Sequence, residues 1–329
     1  MSGTETGTMP VAGAASAGGP STRSILLHGL AAALMFVSPL TLFVPAAVLS
    51  SGLRNGRRGL WLSTASAAGL LALLGAAIGS PAAYTPVARM LLEIGLPSAL
   101  GLELVLRGGL FGPVLLATVA ASFGAFGLVE LAMRALASHS PYQAIVTNFR
   151  TASATSIESY REAGIPADAI SMMERLAEAV ASSYMPVLIA IVTILTFALS
   201  YIMLPRLRSG RALAPRFLFR HLAFPDPLLF AFVAGGLAPL ASGALRTAGF
   251  SLLMLVVFLY TLQGLAVLRF KHVQSGMRLL ATTLAMLTIA VLALYGVTPV
   301  VLFLIGLFDP FFDFRHLHRK EVPHESDSD

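Results

Sequence analysis

Long apolar runs separated by short polar connections make up most of the chain. Four of them, 60–79, 110–133, 185–204 and 249–268, approach the about 20 residues that a helix needs to cross a ~30 Å hydrocarbon core. Segment 87–106 is long enough as well, although it contains Arg89, Glu93 and Glu103. Because every backbone polar group must be paired inside lipid, these runs predict helices and not strands.

Proline and glycine interrupt three further apolar runs. Run 228–245 contains Gly235, Gly236 and Pro239, a composition that predicts a bent helix. Runs 25–49 and 279–308 also contain internal prolines, so each is either one long tilted span or a helix, a break and a shorter return helix. We prefer the second interpretation, which places both termini in the cytoplasm. The predicted fold class is an all-α polytopic transmembrane helix bundle of about eight spans, with Pro-broken first and last segments.

The remaining segments divide the chain into membrane and polar parts. We predict a disordered tail at 1–24, because it has too few apolar residues to fold by itself, and a second polar tail at 317–329. Two membrane halves, 25–136 and 185–316, flank an extracytoplasmic segment, 137–184. In that segment apolar residues recur every three or four positions, which predicts an amphipathic helix on the membrane or on the bundle. We interpret it as a cap over the bundle, with a lid over a site as the alternative.

The placement of basic residues predicts the orientation. Of the 329 residues 56% are hydrophobic and only 12% are charged, which excludes an ordinary soluble domain. The 22 basic residues outnumber the 16 acidic ones, and many of them lie in the loops 50–59, 107–109, 206–226 and 269–278. Since cytoplasmic loops are rich in Lys and Arg, we place these four loops in the cytoplasm. No basic helix is interleaved with aromatic residues, so we expect no nucleic-acid partner.

The residue types also exclude several kinds of chemistry. The chain has no cysteine, which excludes disulfides, thiolate zinc sites and iron–sulfur clusters. The sequence has no phosphate-binding glycine loop, no nucleophile-elbow motif and no His-Glu-x-x-His motif. His316 and His318 lie two residues apart and cannot face one metal from a helix. We therefore predict no cofactor, no metal site, no catalytic residues and no enzymatic activity.

Ionisable residues inside the predicted spans are the candidates for function, because a charge at the bilayer centre costs at least ~2.5 kcal/mol. Arg89 and Glu93 are four residues apart and share a helix face, as do Glu130 and Arg134. The predicted topology places both pairs in the outer half of the membrane. We predict a substrate-binding site formed by Arg89, Glu93, Glu130 and Gln263 that opens outward. The alternative is that the charged pairs neutralise themselves near helix ends and that Gln263 bonds two helices together.

A family resemblance is carried by an Arg-rich loop that runs into 217–225 and by four short motifs: Tyr184-Met185-Pro186, Gly-Leu-Arg-Asn-Gly at 52–56, Gln-Gly-Leu-Ala-Val at 263–267 and Gly-Leu-Phe-Asp-Pro-Phe-Phe-Asp-Phe-Arg at 306–315. With them, residues 25–316 resemble the YybS-like family of bacterial multi-pass membrane proteins of unknown function. The resemblance implies the bacterial cytoplasmic membrane and a distant similarity to the substrate-binding subunits of energy-coupling factor transporters. Those subunits bind vitamins from the outer side and meet a membrane partner through small residues of their first helix. By this similarity, Gly29 and Ala33 are expected to contact another membrane subunit.

Two functions follow from this pattern. The first is an integral membrane protein, embedded in the lipid bilayer, that binds or transports a small-molecule solute through an outward-facing site between helices. The second is an accessory or scaffold membrane protein without a small-molecule ligand, in which Arg89 only neutralises Glu93. A third, a lipid-modifying enzyme acting through 139–184, would need converging acid–base groups that the segment lacks. A water-accessible cavity that reaches Glu93 would favour the first function over the second.

Overall fold

The computed structural model describes residues 21–79, 85–205, 217–274 and 297–315. Within these residues every regular element is helical and no strand occurs, which confirms the all-α prediction. Four stretches are long and apolar enough to cross a membrane: Pro39–Ile78, Phe111–Leu136, Ala167–Met203 and Gly243–Gln274. The predicted number of about eight spans is not confirmed. Most of both predicted tails and residues 279–296 of the last apolar run lie outside the described residues.

The described chain begins with two short antiparallel helical arms. Helix α1 (Thr22–Phe36) leads through the 3₁₀ turn Pro39–Phe43 into helix α2 (Val44–Ile78). His28 Nε2 lies 3.4 Å from Ser50 Oγ, so the chain folds back between α1 and the beginning of α2. Run 25–49 is therefore a helix, a break and a return helix. The 15 residues of α1 give a length of about 22 Å, too short to cross a ~30 Å core.

Helix α2 reverses direction at Gly56, whose backbone has φ 73° and ψ −171°. Glycine adopts this conformation without the strain that a side chain would cause. Ser51 Oγ donates to the Gly59 carbonyl at 3.0 Å, whereas residues eight apart in a continuous helix are about 12 Å apart. Thus α2 is a helical hairpin, and its long arm, 57–78, is about 33 Å long and able to cross the membrane.

The small residues of α1 pack inside the chain. A Cβ atom at Gly29 would lie 2.6 Å from the Cβ of Ser66 on the long arm of α2, so only glycine fits this contact. Ala33 is buried as well. The exposed apolar side chains of α1 are leucines, among them Leu27 and Leu34. Gly29 and Ala33 are therefore used for packing within the chain, which leaves no surface at these two residues for another subunit.

The next segment, 85–106, is continuously helical and runs antiparallel to the long arm of α2. It consists of α3 (Thr85–Ala88), a π-helical turn (Arg89–Gly95) and α4 (Leu96–Leu106). Two contacts show this direction, one at the beginning of the long arm and one nearer its middle. Arg57 forms an ion pair with Glu103, and Gly95 lies against Thr64. With 22 residues, the segment has the length of a span.

Helix α5 (Phe111–Ala137) is followed by a helical hairpin. The hairpin consists of α6 (Pro141–Glu162) and α7 (Ala167–Ala179), and a π-helical turn (Val180–Tyr184) joins α7 to α8 (Met185–Met203). The stretch Ala167–Met203 has 37 residues, about 55 Å, which exceeds the ~30 Å core.

Exposed ion pairs connect the two arms of this hairpin. Arg150 Nη2 lies 2.7 Å from Glu178 Oε1, and Arg161 Nη2 lies 2.9 Å from Glu174 Oε1. The Glu178 carboxylate raises the pKa of Arg150. The predicted amphipathic helix of 137–184 is thus one arm of a helix pair that continues into α8.

The last part of the described chain is built on close backbone contacts. After a 3₁₀ turn at Phe219–His221 come α9 (Pro227–Gly236), a 3₁₀ turn at Ala238–Leu240, α10 (Gly243–Gln274) and α11 (Val297–Phe312). The prediction of one bent span at 228–245 is wrong. Helix α9 has ten residues, about 15 Å, and the chain then turns back so that Gly235 lies against Leu253 of α10. Proline and two glycines end the helix instead of bending it.

Three of the predicted cytoplasmic loops meet at one end of the bundle. Arg57 of loop 50–59 pairs with Glu103, which also binds Arg107 of loop 107–109. Gly112 contacts the carbonyl oxygen of Ala223, in the described part of loop 206–226. At this same end three aromatic rings pack together, with centroids 5.4 to 6.0 Å apart: those of Phe111, Tyr201 and Phe217. The placement of this end in the cytoplasm stays a prediction.

Candidate functional site

An interruption of α-helical hydrogen bonding positions Glu93. Pro97 has no N–H to donate to the Glu93 carbonyl four residues earlier, and the N–H of Leu96 bonds to the Leu91 carbonyl, five residues earlier. The Glu93 carbonyl accepts a hydrogen bond from Ser122 Oγ of α5 at 3.0 Å instead. Single π-helical turns of this kind are frequent at functional sites.

The Glu93 carboxylate is buried and only half paired. Its side chain is 9% exposed, and Oε2 accepts a hydrogen bond from Arg89 Nε at 2.9 Å. The Arg89 side chain is 39% exposed, and the Cζ atom of its guanidinium lies 6.0 Å from the centroid of the Phe36 ring. The second oxygen, Oε1, is buried without a hydrogen-bond partner among the described residues. An unpaired buried carboxylate oxygen is unfavourable, so Oε1 is an available acceptor.

A partly open cavity of about 50 Å³ reaches this carboxylate. Its walls come from the π-helical turn and from α5, α6 and α8, and the lining residues are Arg89, Glu93, Ser122, Phe123, Phe126, Ile145, Ile189 and Thr193. The hydroxyls of Ser122 and Thr193 already donate to backbone carbonyls. The volume is enough for a few water molecules or one small polar group, whereas pockets for drug-sized ligands start at about 300 Å³.

Glu130 lies outside this cavity and caps a helix. It follows Ser122 by eight residues, about 12 Å along α5. Its carboxylate accepts hydrogen bonds from Arg134 Nε at 2.6 Å, from Ser140 Oγ at 2.5 Å and from the backbone N–H of Tyr142 at 2.8 Å. The last two donors belong to the beginning of α6, where a negative charge is favourable. Both carboxylate oxygens are therefore paired in a contact that joins α5 to α6.

Gln263 lies in a third place, within a buried polar cluster that joins α10 and α11. Its Oε1 accepts from the backbone N–H of Phe224 at 3.1 Å, and its Nε2 donates to Asp309 Oδ2 at 3.1 Å. Arg315 donates to the same Asp309 oxygen and also to the Leu222 carbonyl at 2.8 Å. All three side chains are buried. These contacts agree with the alternative interpretation, in which Gln263 bonds two helices together.

His221 borders this cluster. Partial burial lowers its pKa, and the positive charges of Arg220 and Arg315 lower it further. The ring is thus neutral at neutral pH, and its Nε2 accepts a hydrogen bond from Arg220 Nε at 3.2 Å. The ring also packs edge-on against Phe270 of α10. The segment 219–224 is therefore attached firmly to the end of α10.

Of the four predicted site residues, the structure brings only Arg89 and Glu93 together. Ala223, which neighbours the Gln263 partner Phe224, contacts Gly112 of α5. Gly112 lies ten residues, or about 15 Å, before the cavity residue Ser122 along the same helix, so the Gln263 cluster is separate from the Glu93 cavity. Sequence reasoning missed the cavity walls on α5, α6 and α8. The one local signal was Pro97, since a proline four residues after Glu93 frees its carbonyl for a partner. Among the described residues, no group of three or more His, Asp or Glu side chains is placed to hold a metal.

Comparison with known proteins places the chain in a family. A family model described as "Predicted membrane protein (DUF2232)" matches residues 24–310. No curated protein and no solved structure matches the chain. The match covers most of the 329 residues and includes the π-helical turn, the Glu93 cavity and the Gln263–Asp309 contact. The chain therefore belongs to the DUF2232 family of predicted membrane proteins.

Proposed function

We propose that this membrane protein binds a small solute through a polar group that occupies the Glu93 cavity. The observation that carries the proposal is the buried Oε1 atom of Glu93, which lines a cavity and has no hydrogen-bond partner among the described residues. A scaffold would have no need of a partly open cavity at its most deeply buried carboxylate in the 85–106 segment. The cavity therefore favours solute binding over the accessory or scaffold alternative.

The chemistry of the walls favours a donor group, above all an ammonium. Glu93 Oε1 offers an acceptor with negative charge, and the hydroxyls of Ser122 and Thr193 are already committed to the backbone. Phe123 and Phe126 add aromatic rings, which attract cations. Arg89 bonds only the other carboxylate oxygen, Oε2, from the more exposed side. The volume of about 50 Å³ fits the amino group of a solute and a few of its neighbouring atoms.

The proposed location is the bacterial cytoplasmic membrane, with the cavity in the outer half. The arginine-rich loops support this orientation, because Arg57, Arg107 and the 219–224 segment lie at the opposite end from the α6–α7 hairpin. The resemblance to the YybS-like family, and through it to substrate-binding subunits of energy-coupling factor transporters, agrees with recognition from outside. Transport would need a partner or an ion gradient, since the sequence carries no ATP-binding motif.

The first test is ligand binding by the purified protein in detergent. Thermal unfolding is followed during titration with methylammonium chloride, and sodium chloride at equal ionic strength serves as the reference. We expect a saturable rise in Tm for the wild type and for Glu103→Gln, and none for Glu93→Gln. Glu103 is a matched control because it also pairs with an arginine four residues away, but at the opposite end of the same segment.

A Tm response of Glu93→Gln equal to that of the wild type would contradict the proposal, as would a wild-type response no larger than that to sodium chloride. In the scaffold alternative, Arg89→Gln combined with Glu93→Gln leaves function intact. Identification of small molecules that copurify with the wild type, and not with Glu93→Gln, would then give the natural solute.

A further inference from the structure

We propose that a groove between α9, α10 and α11 binds a membrane lipid whose head group carries an ammonium. The groove has a volume of about 290 Å³, and its main wall residues are Phe224, Leu229, Phe230, Tyr260 and Phe311, with Asp226 at its rim. None of its described lining residues also lines the Glu93 cavity. The proposal is thus independent of the function proposed above.

The back of the groove is held in place by the buried polar cluster. The backbone N–H of Phe224 bonds to Gln263, and Pro310 directly follows Asp309, which Arg315 binds. Tyr260 is 3% exposed, and its ring packs on that of Phe303 at a centroid distance of 6.4 Å. A wall fixed in this way does not have to be ordered when a ligand arrives, which favours binding.

The charge of the groove points to a cation. Asp226 is exposed, and its carboxylate makes no ion pair or hydrogen bond with any residue that the structure describes. Among the described residues that line the groove, none has a basic side chain. Four aromatic rings lie in its walls, those of Phe224, Phe230, Tyr260 and Phe311. Aromatic faces attract ammonium groups. An acidic residue at the beginning of α9 also interacts favourably with the helix dipole, but that interaction does not require aromatic residues around it.

The shape of the groove points to a lipid. Phe230 is 74% exposed and Phe311 is 62% exposed, both on apolar helices, so the groove opens toward the acyl chains. Asp226 lies two residues after the segment 219–224 and, like it, belongs to the predicted cytoplasmic loop 206–226, which places it at head-group level. A lipid can thus place its ammonium beside Asp226 and its chain along Phe230 and Phe311. Phosphatidylethanolamine has this chemistry, whereas phosphatidylglycerol lacks the ammonium.

The test compares these two lipids on the full-length protein. Wild type and variants are reconstituted with equal amounts of phosphatidylethanolamine and phosphatidylglycerol, released into detergent and examined by native mass spectrometry. We expect the wild type to retain phosphatidylethanolamine preferentially and Asp226→Asn to lose that preference by roughly two- to fivefold, the size that one exposed ion pair supports. Asp168→Asn, the same change near the beginning of exposed helix α7, should behave as the wild type.

Two more variants complete the test. Phe311→Ala changes an exposed side chain, so it should fold normally while it retains less lipid of either kind. Glu93→Gln should keep the wild-type lipid preference even if it abolishes the methylammonium response. The proposal would be overturned if wild type and Asp226→Asn retained the two lipids in the same ratio. It would also be overturned if Phe311→Ala retained as much lipid as the wild type.

Discussion

At the scale of single residues, two glycines decide how closely α10 and α11 approach. A Cβ atom at Gly264 would overlap the carbonyl oxygen of Leu302, and one at Gly306 would overlap the carbonyl oxygen of Tyr260. Both obstacles are backbone atoms in helices, which cannot move aside as the end of a side chain can. The adjacent Gln263–Asp309 hydrogen bond at 3.1 Å depends on the same close spacing. The Gln-Gly motif of the sequence therefore has a packing reason.

Gly264→Ala should destabilise the protein by about 1–3 kcal/mol, the usual cost of overpacking a well-filled contact. Gly124→Ala is the matched control, because Gly124 also lies inside a helix but the added Cβ would meet no described atom within 4 Å other than those of its own helical turn. It should be neutral or stabilise by up to about 1 kcal/mol through helix propensity. Unfolding of the purified protein by sodium dodecyl sulfate measures both. Equal stabilities of the two variants would show that α10 and α11 do not touch at Gly264.

The sequence indicates Glu93 and Arg89 but not the cavity around them. A carboxylate inside an apolar run is costly, and an arginine four residues away is its natural partner, so this pair was predictable. Ile189 and Ser122 are far away along the chain, and only the packing of α5 and α8 on the π-helical turn brings them in. Glu130 follows the same i, i+4 pattern, yet its partners at the beginning of α6 give it a capping role.

At the scale of elements, proline placement explains both π-helical turns. Arg89–Gly95 precedes Pro97, and Val180–Tyr184 precedes Pro186. In each case the proline occupies the second position of the following helix and leaves a carbonyl four residues earlier without its usual donor. The sequence predicts an interruption at these points. Whether the helix kinks, ends or widens depends on a donor from another element, here Ser122 for Pro97.

The coupling between Pro97 and Ser122 can be measured by a double-mutant cycle. Ser122→Ala should cost about 1–3 kcal/mol, because it leaves the buried Glu93 carbonyl unpaired. The same change in a Pro97→Ala background should cost less, since the alanine restores a backbone N–H that can donate to that carbonyl. Chemical unfolding in detergent gives the four stabilities. Strictly additive costs would refute the coupling, and Ser156→Ala, whose exposed hydroxyl bonds only within α6, should change little.

Hydropathy predicted the elements better than the chain reversals between them. The runs 110–133, 185–204 and 249–268 each correspond to one helix of the structure, with differences of up to six residues at the ends. The hairpin at Gly56 falls within the predicted basic loop 50–59, whereas the turn after Gly236 lies inside an apolar run, so mean hydropathy does not mark that second reversal. A reversal inside an apolar segment depends on local backbone geometry and on the helix that packs against it. This is why the number of spans was not predictable.

At the scale of the whole molecule, the two ends of the bundle differ in kind. One end consists of tight basic turns around the aromatic contact of Phe111, Tyr201 and Phe217. The other carries the α6–α7 hairpin, whose base is anchored by a small apolar cluster that includes Val146 and Met185. Ile145 at this base lines the Glu93 cavity. A change at the base of the hairpin can therefore reach the cavity directly, which connects the hairpin to the candidate site.

The orientation of these ends can be tested cleanly because the natural chain contains no cysteine. We expect Ser159→Cys, on the exposed surface of α6, to react with a membrane-impermeant maleimide added to intact cells. Ser209→Cys, in the arginine-rich loop 206–226, should react only after the cells are lysed, because such loops remain cytoplasmic. Reversed labelling would place the Glu93 cavity in the inner half of the membrane and the Asp226 groove in the outer half. Solute binding at Glu93 would then occur from the cytoplasm. The labelling experiment is needed for this point, because the methylammonium titration uses protein in detergent, where both sides of the protein meet the solute.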